Sequence, residues 1–142
     1  MKNLATRMIA AVLFGSVLMS STTGLDSFEI YLNNKLLTRH VMSQPLTLKE
    51  LNLKEANSSD ELRIVFVQCH APDKTGKNRK ISLVDEQGAI VKEWQFADSN
   101  GSGKTMVIPV KELLEIQQKD HGKLTLTYTA DNYGRYQQLA VL

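Results

Sequence analysis

The stretch "RKISLVDEQGAIVKEWQF" at residues 79–96 decides the fold class, because apolar and polar residues alternate in each of its halves. Turn formers at residues 86–88 separate the halves, and the apolar positions that carry the pattern are Ile81, Leu83, Ile90, Trp94 and Phe96. A period of two puts alternate side chains on one face of a strand, whereas a helix needs a period of 3.6. The stretch therefore predicts a β-hairpin with one apolar face.

The same period of two recurs in six further segments, namely residues 27–32, 36–42, 61–69, 104–110, 122–130 and 136–142. Asn33-Asn34 separates the first two as a two-residue hairpin turn, because asparagine tolerates a positive φ. The segment 61–69 is apolar on both faces, so we expect a central strand that is covered on both sides. About eight strands predict an all-β fold, an antiparallel β-sandwich, for which an immunoglobulin-like arrangement is one option.

One or two single-turn helices are expected to interrupt the strands. Val110, Leu113 and Leu114 in "VKELLEIQQK" have the i, i+3, i+4 spacing of a helical face. A weaker pattern occurs at residues 49–51 in "LTLKELNLKEA". Each pattern lies at the same distance before a strong strand. The two halves therefore either use the same crossover between the sheets or match by chance.

The first 24 residues have the composition of a signal peptide. Lys2 and Arg7 introduce an uninterrupted run of apolar and small residues at 8–19, and small residues follow at 20–24. The run is shorter than the roughly 20 apolar residues that a membrane-spanning helix needs. We therefore expect a signal peptide at residues 1–24, cleaved between Ser20 and Gly24. A single β-sandwich domain at residues 25–142 would follow, in a secreted or periplasmic protein with no membrane span in the mature chain.

The charge balance bears on the kind of partner. The chain has 17 Lys and Arg residues against 15 Asp and Glu residues, and removal of Lys2 and Arg7 leaves 15 against 15. Nucleic-acid-binding domains normally carry a clear basic excess, so we expect no nucleic-acid partner. A local basic cluster contains Lys74, Lys77, Arg79 and Lys80. We expect this cluster to be a solvated turn.

The stretch "DSNGSGKT" at residues 98–105 ends like a phosphate-binding P-loop. Asp98 stands where the first glycine of that motif belongs, and a carboxylate there would repel phosphate. A P-loop also runs directly into a helix, whereas this stretch runs into "MVIPV", whose Pro109 disfavours one. We therefore expect a flexible connection between strands and no nucleotide site.

Cys69 and His70 in "VQCHAP" are the side chains that could bind a metal, because soft metals favour thiolate beside imidazole. Adjacent residues on a strand point to opposite faces, however, and no C-x-x-C or H-x-H spacing accompanies the pair. We expect Cys69 to be buried with Val65 and Val67, and His70 to be exposed in a loop. The alternative is a periplasmic copper or zinc site at Cys69 and His70, which His40, His121, Met42 and Met106 could complete.

No catalytic constellation occurs among the remaining residues. Tyr128, Tyr133 and Tyr136 cluster with Arg135 near the last predicted hairpin, either as sheet packing or as a binding surface. The single cysteine cannot form an intramolecular disulfide, so an apolar core must stabilise the domain. We expect an exported, non-enzymatic protein without a cofactor, with a binding or structural role towards a protein or cell-envelope partner. The sequence leaves its oligomeric state open.

Three stretches, "GLDSFEIYLNNKLL", "CHAPDKTGKNRKISLVDEQGAIVKEWQFAD" and "MVIPVKELL", resemble a group of small secreted proteins of unknown function from bacteria of the Bacteroidetes type. The resemblance covers most of residues 25–142. It implies a secreted protein from a bacterial source. None of the three stretches carries a catalytic motif, so the resemblance implies no activity, cofactor or site residue.

Overall fold

The computed structural model describes residues 25–69, 76–98, 105–119, 122–131, 133 and 136–142. The predicted signal peptide lies outside these residues. In chain order the described elements are β1 (Ser27–Leu32), β2 (Lys35–Val41), β3 (Lys49–Glu50), β4 (Glu61–Val67), β5 (Arg79–Val84), β6 (Ile90–Phe96), β7 (Met106–Pro109), α1 (Val110–Gln117), β8 (Thr125–Thr129) and β9 (Gln137–Val141).

The strands form two sheets, as the alternating pattern predicts. Sheet A has the order β2-β1-β4-β7, and sheet B has the order β3-β9-β8-β5-β6. All neighbouring strands are antiparallel except β3 and β9, which are parallel. The prediction of an all-β sandwich is therefore confirmed. The strand orders differ from those of an immunoglobulin domain, in which strands A, B, E and D form one sheet and C, F and G the other.

The core lies between the two sheets and is built by the alternation within each strand. Leu62, Ile64 and Phe66 of β4 are buried, and the Phe66 ring stacks on Tyr128 of β8 with ring centroids 4.0 Å apart. Each such buried apolar side chain stabilises the fold by about 1.5–3 kcal/mol. The stacked pair joins sheet A to sheet B.

Strand β4 is central, as predicted, because it lies between β1 and β7. The expectation that both of its faces are covered is wrong. Arg63, Val65 and Val67 are only half-buried, whereas the alternate residues face the core. Their β-branched shapes suit a strand surface whether or not it is fully covered, so the apolar pattern overstated the burial.

Both predicted hairpin turns are present. Asn33 has φ 52° between β1 and β2, and Gly88 has φ 81° between β5 and β6. The Asn33 side chain also fastens the turn to the start of β4, since its Oδ1 accepts a hydrogen bond from the Glu61 backbone amide at 3.0 Å. Its Nδ2 donates to Asp60 Oδ1 at 3.1 Å. The turn residue thus sets both the hairpin and its position against β4.

One of the two predicted helices is present and one is not. Helix α1 begins after Pro109 and extends for eight residues, with Val110 and Leu113 buried. The helical turn predicted at residues 49–51 is wrong, because Lys49–Glu50 pairs with β9 and the Leu51 amide donates to the Val141 carbonyl at 2.7 Å. The two matching sequence patterns therefore form different structures. No helix among the described residues is long and apolar enough to cross a membrane.

Candidate functional site

The structure describes one residue of the predicted metal pair. Cys69 follows β4 and is half-buried rather than buried, and its thiol donates to the Leu25 carbonyl at 3.1 Å. Its backbone amide donates to Asp26 Oδ1 at 2.9 Å. His70 lies outside the described residues. These two hydrogen bonds attach residues 25–26, which precede β1, to the end of β4.

The other candidate metal ligands are spread over the fold. Met106 is buried in the core, and His121 lies outside the described residues. His40 and Met42 line a groove beside Tyr136. Within the described part of the chain, no group of three or more His, Cys, Asp and Glu side chains could hold a metal ion. The Cys69–His70 metal site stays a prediction.

The flanks of the P-loop-like stretch carry strand structure. Asp98 Oδ1 accepts a hydrogen bond from the Asn78 amide at 2.8 Å, so this carboxylate stabilises a neighbouring loop. After Thr105 the chain enters strand β7, as the sequence predicts, and not a helix. Residues 99–104 lie outside the described residues. The helix N-terminus on which a P-loop depends does not follow this stretch.

The basic cluster includes one buried residue, which corrects the expectation of a solvated turn. Arg79 is 1% exposed, and its Nη2 donates to the Ala97 carbonyl at 2.9 Å. Nearby, the Tyr128 hydroxyl donates to Gln68 Oε1 at 3.0 Å. Burial raises the pKa of Tyr128, and the Arg79 charge opposes that rise. Arg79, Tyr128 and Gln68 are thus buried polar side chains that lie close together in the fold.

The predicted tyrosine cluster separates into two kinds of residue. Tyr128 and Tyr133 pack with Phe66, the two tyrosine rings having centroids 6.0 Å apart, so these two belong to the core packing. Tyr136 is 58% exposed and lines a groove. Arg135 lies outside the described residues. Only Tyr136 is therefore available as a binding surface among the described tyrosines of this cluster.

The groove beside Tyr136 has a volume of about 590 Å³ and is built from three parts of the chain. Residues 40–46 contribute the end of β2 and the segment that follows it. The β5–β6 hairpin contributes Val84, Gly88 and Ile90, and strands β8 and β9 contribute residues at their paired region. The fold thus brings together segments that are far apart in the sequence.

The apolar part of the groove is unusually exposed. Ile90 is 50% exposed and Tyr136 is 58% exposed, and together they are two of the four large exposed hydrophobic residues that the structure describes. Met42 and Leu46 add half-buried apolar surface. Exposed apolar side chains that gather in one concave place are typical of a binding site.

The polar part of the groove consists of uncharged side chains. Gln44, Thr127, Gln137 and Gln138 line it, together with His40. The Gln137 amide donates to the Gln138 carbonyl at 2.9 Å. No Lys, Arg, Asp or Glu lines the groove among the described residues, although 23% of the chain is charged. The lining therefore favours an uncharged ligand over an anion or a cation.

His40 contributes an unsatisfied polar atom to this lining. It is paired with Phe28 across β1 and β2, and the two rings have centroids 5.5 Å apart. Its Nε2 is buried and has no hydrogen-bond partner among the described residues. A buried polar atom without a partner costs about 1–3 kcal/mol.

The sequence identified Tyr136 and His40 but did not place them together. Tyr136 was one of three tyrosines in a cluster, and His40 was a candidate metal ligand. Gln44 and the Gln137-Gln138 pair belong to no recognised motif, and only the strand pairing brings them to the same groove. Comparisons of the chain with known protein families, with curated proteins and with solved structures found no match.

Proposed function

We propose that the protein is an exported, non-enzymatic β-sandwich that binds an uncharged ligand in the groove beside Tyr136. The observation that carries this proposal is the lining, which combines exposed Ile90 and Tyr136 with amide and hydroxyl side chains and includes no charged residue among those described. Ligand sites are typically concave and largely apolar, with a few polar groups that fix orientation. The groove has each of these properties.

The same lining supports binding over catalysis. General acid–base catalysis uses titratable side chains held against the reacting atoms, commonly with a second group that orients them. His40 and Tyr136 are the titratable side chains of the groove within the described residues. His40 packs against the Phe28 ring rather than against a carboxylate. We therefore assign the groove to recognition.

Export is proposed from the sequence of residues 1–24 and from the resemblance to small secreted proteins. The location that this implies is the periplasm or the extracellular medium. N-terminal sequencing of the exported protein should find a chain that begins between residues 21 and 25. A chain that retains Met1 in the cytoplasmic fraction would contradict the proposal.

Binding in the groove is tested by thermal unfolding with uncharged and charged probes. The uncharged probes are linear neutral hexasaccharides and acetylated, amidated hexapeptides of Ser and Gly, and the charged probes are hexauronates and polylysine. A ligand that binds the native state raises the melting temperature. We expect at least one uncharged probe to do so, and neither charged probe.

A matched pair of variants tests whether the ligand binds in the groove. Ile90→Glu puts a carboxylate into the uncharged lining and should abolish the thermal shift. Leu36→Glu is the control, because Leu36 is 43% exposed on β2 and does not line the groove, whereas Ile90 is 50% exposed within it. An equal loss in both variants, or no thermal shift with any uncharged probe, would contradict the proposed function.

A further inference from the structure

Part of the groove lining lies on one face of sheet B. Gln138 is the direct partner of Thr127 across β9 and β8, and Tyr136 lies two residues from Gln138 on the same face. Thr127 is paired with Ser82, and Val84 lies two residues from Ser82. Ile90 is the partner of Val84 on β6. These residues form a strip on the side of the sheet that faces away from the core, in which Tyr136 and Ile90 are exposed and Ser82 and Thr127 are buried. Glu93, the β6 partner of Ser82, lies beside the strip and forms an ion pair with Lys80 at 3.2 Å.

The strip crosses four neighbouring strands, β9, β8, β5 and β6. Three inter-strand spacings amount to ~14 Å. An extended peptide usually binds by adding a strand to a sheet edge, where main-chain groups are available for hydrogen bonds. A ligand that lies across the strands must instead be recognised by side chains. This geometry favours a ligand that carries its own hydrogen-bonding groups along its whole length.

Gln138 of the strip and Gln44 of the neighbouring residues 40–46 carry amide side chains that can form hydrogen bonds with hydroxyl groups. An amide side chain both donates and accepts hydrogen bonds, and so does a hydroxyl group. The Gln44 and Gln138 amide side chains form no hydrogen bond within the described residues. These two amide groups of the lining can therefore form hydrogen bonds with hydroxyl groups of a ligand.

The exposed Tyr136 ring and the uncharged side chains of the described lining restrict the class of ligand further. The face of an aromatic ring is electronegative, and polarised C–H groups pack against it. One face of a sugar ring presents such C–H groups, and the Tyr136 ring is exposed to receive them. A lipid would require a lining without so many polar groups, whereas five of the described lining residues are polar: His40, Gln44, Thr127, Gln137 and Gln138.

We propose that the ligand of the groove is a neutral oligosaccharide that lies across strands β9, β8, β5 and β6. The Tyr136 ring stacks on one sugar ring, and Ile90 provides apolar contact at the β6 end of the strip. Gln44 and Gln138 bind sugar hydroxyl groups. This inference rests on the proposed binding function and specifies its ligand class.

Isothermal titration of the protein expressed from the full sequence tests the proposal. The probes are cellohexaose, maltohexaose, mannohexaose, xylohexaose and chitohexaose, with hexagalacturonate as the charged counterpart and the neutral Ser-Gly hexapeptide as the peptide counterpart. At least one neutral hexasaccharide should bind. Tyr136→Ala should weaken that binding about tenfold, which corresponds to the loss of one stacked ring. Tyr136→Phe should keep it within about threefold, because the ring remains.

The control variant is Tyr31→Ala, which removes a tyrosine of sheet A that lies outside the groove and should leave the affinity unchanged. Equal weakening in Tyr136→Ala and Tyr31→Ala would overturn the proposal, as would hexagalacturonate binding as tightly as the neutral sugars. If only the peptide binds, and Ile90→Glu abolishes that binding, the carbohydrate inference fails while the binding function stands. If no probe binds, both fail.

Discussion

Replacement of Gly76 by alanine adds a single methyl group where the structure has no room for it. An added Cβ would lie 2.1 Å from Gln68 Oε1, 2.4 Å from the Ala130 Cβ and 2.7 Å from the Tyr128 hydroxyl oxygen. Real Cβ atoms essentially never approach other atoms within 3.0 Å. The Gly76 backbone amide also hydrogen-bonds the Tyr128 hydroxyl. The methyl group must therefore push these buried groups apart.

The expected loss follows from two contributions. Insertion of a methyl group into a packed interior costs about 1–3 kcal/mol. Displacement of Gln68 breaks its hydrogen bond with Tyr128, which contributes about 1 kcal/mol. The free energy of unfolding should therefore fall by about 2–4 kcal/mol, a large share of the roughly 5–15 kcal/mol that stabilises a typical domain.

Urea unfolding of Gly76→Ala and of Gly88→Ala measures this effect against a matched glycine. Gly88 has φ 81° and nothing within 4 Å of an added Cβ, so alanine there meets only backbone strain of about 1–2 kcal/mol. The midpoint should fall further for Gly76→Ala, with an unchanged slope. A change below about 0.5 kcal/mol at Gly76, or a larger loss at Gly88, would refute the reasoning.

Three further predictions concern single side chains. His40→Phe should raise the free energy of unfolding by about 1 kcal/mol, because it removes a buried Nε2 that has no hydrogen-bond partner among the described residues; destabilisation in urea would contradict this. The Asn57 amide and the Asn33 side chain hold the pKa of Asp60 below its ordinary 3.8, so its stabilisation is complete above pH 3.8 and is lost as pH falls through the lowered pKa. Asp60→Asn should therefore flatten the melting-temperature profile below pH 4, and an unchanged profile would count against this contribution. Burial raises the pKa of Tyr128 above its ordinary 10.0. The contribution of Tyr128 to stability is therefore complete below pH 10 and is lost as pH rises towards the raised pKa. The urea midpoints at pH 9 and pH 11 should differ less in Tyr128→Phe than in the parent protein, and an equal difference would contradict this prediction.

The strands could be predicted from the sequence because their signals are local. Alternation within six or seven residues shows which side chains share a face, and turn formers mark where a strand ends. Asn33 and Gly88 adopt positive φ values at the turns where the sequence placed them. The sandwich architecture follows from the number of such strands and from their spacing.

The features that the sequence missed depend on partners far away in the chain. Lys49–Glu50 lies in a sequence with a weak helical pattern but forms a strand. The reason is that its backbone pairs with β9, which lies about 90 residues later in the chain. Arg79 belongs to a basic segment of the sequence but is buried. The fold brings its side chain close to Tyr128 and to the Ala97 carbonyl, to which it donates a hydrogen bond. Neither outcome has a signal in the surrounding residues.

The groove could be predicted only in part for the same reason. Tyr128 and Tyr136 are alike as residues, but Tyr128 lies on the core face of β8, where it pairs with Ile81, whereas Tyr136 lies just before β9 and is exposed. His40 reaches the groove through its position on β2, next to a segment that no motif marks. The sequence therefore identifies Tyr136 and His40 as candidate residues, but it does not predict that they line the same uncharged groove.

Ligand binding in the groove can be mapped by an NMR titration of the ¹⁵N-labelled protein with the neutral hexasaccharides. We expect saturable shifts of the Ile90, Thr127 and Gln138 backbone amides, which lie on three different strands and meet in the groove. Shifts at these amides that vanish in Ile90→Glu would place the ligand in the uncharged lining. Shifts centred on Cys69 instead, or an unchanged spectrum with every hexasaccharide, would contradict the account.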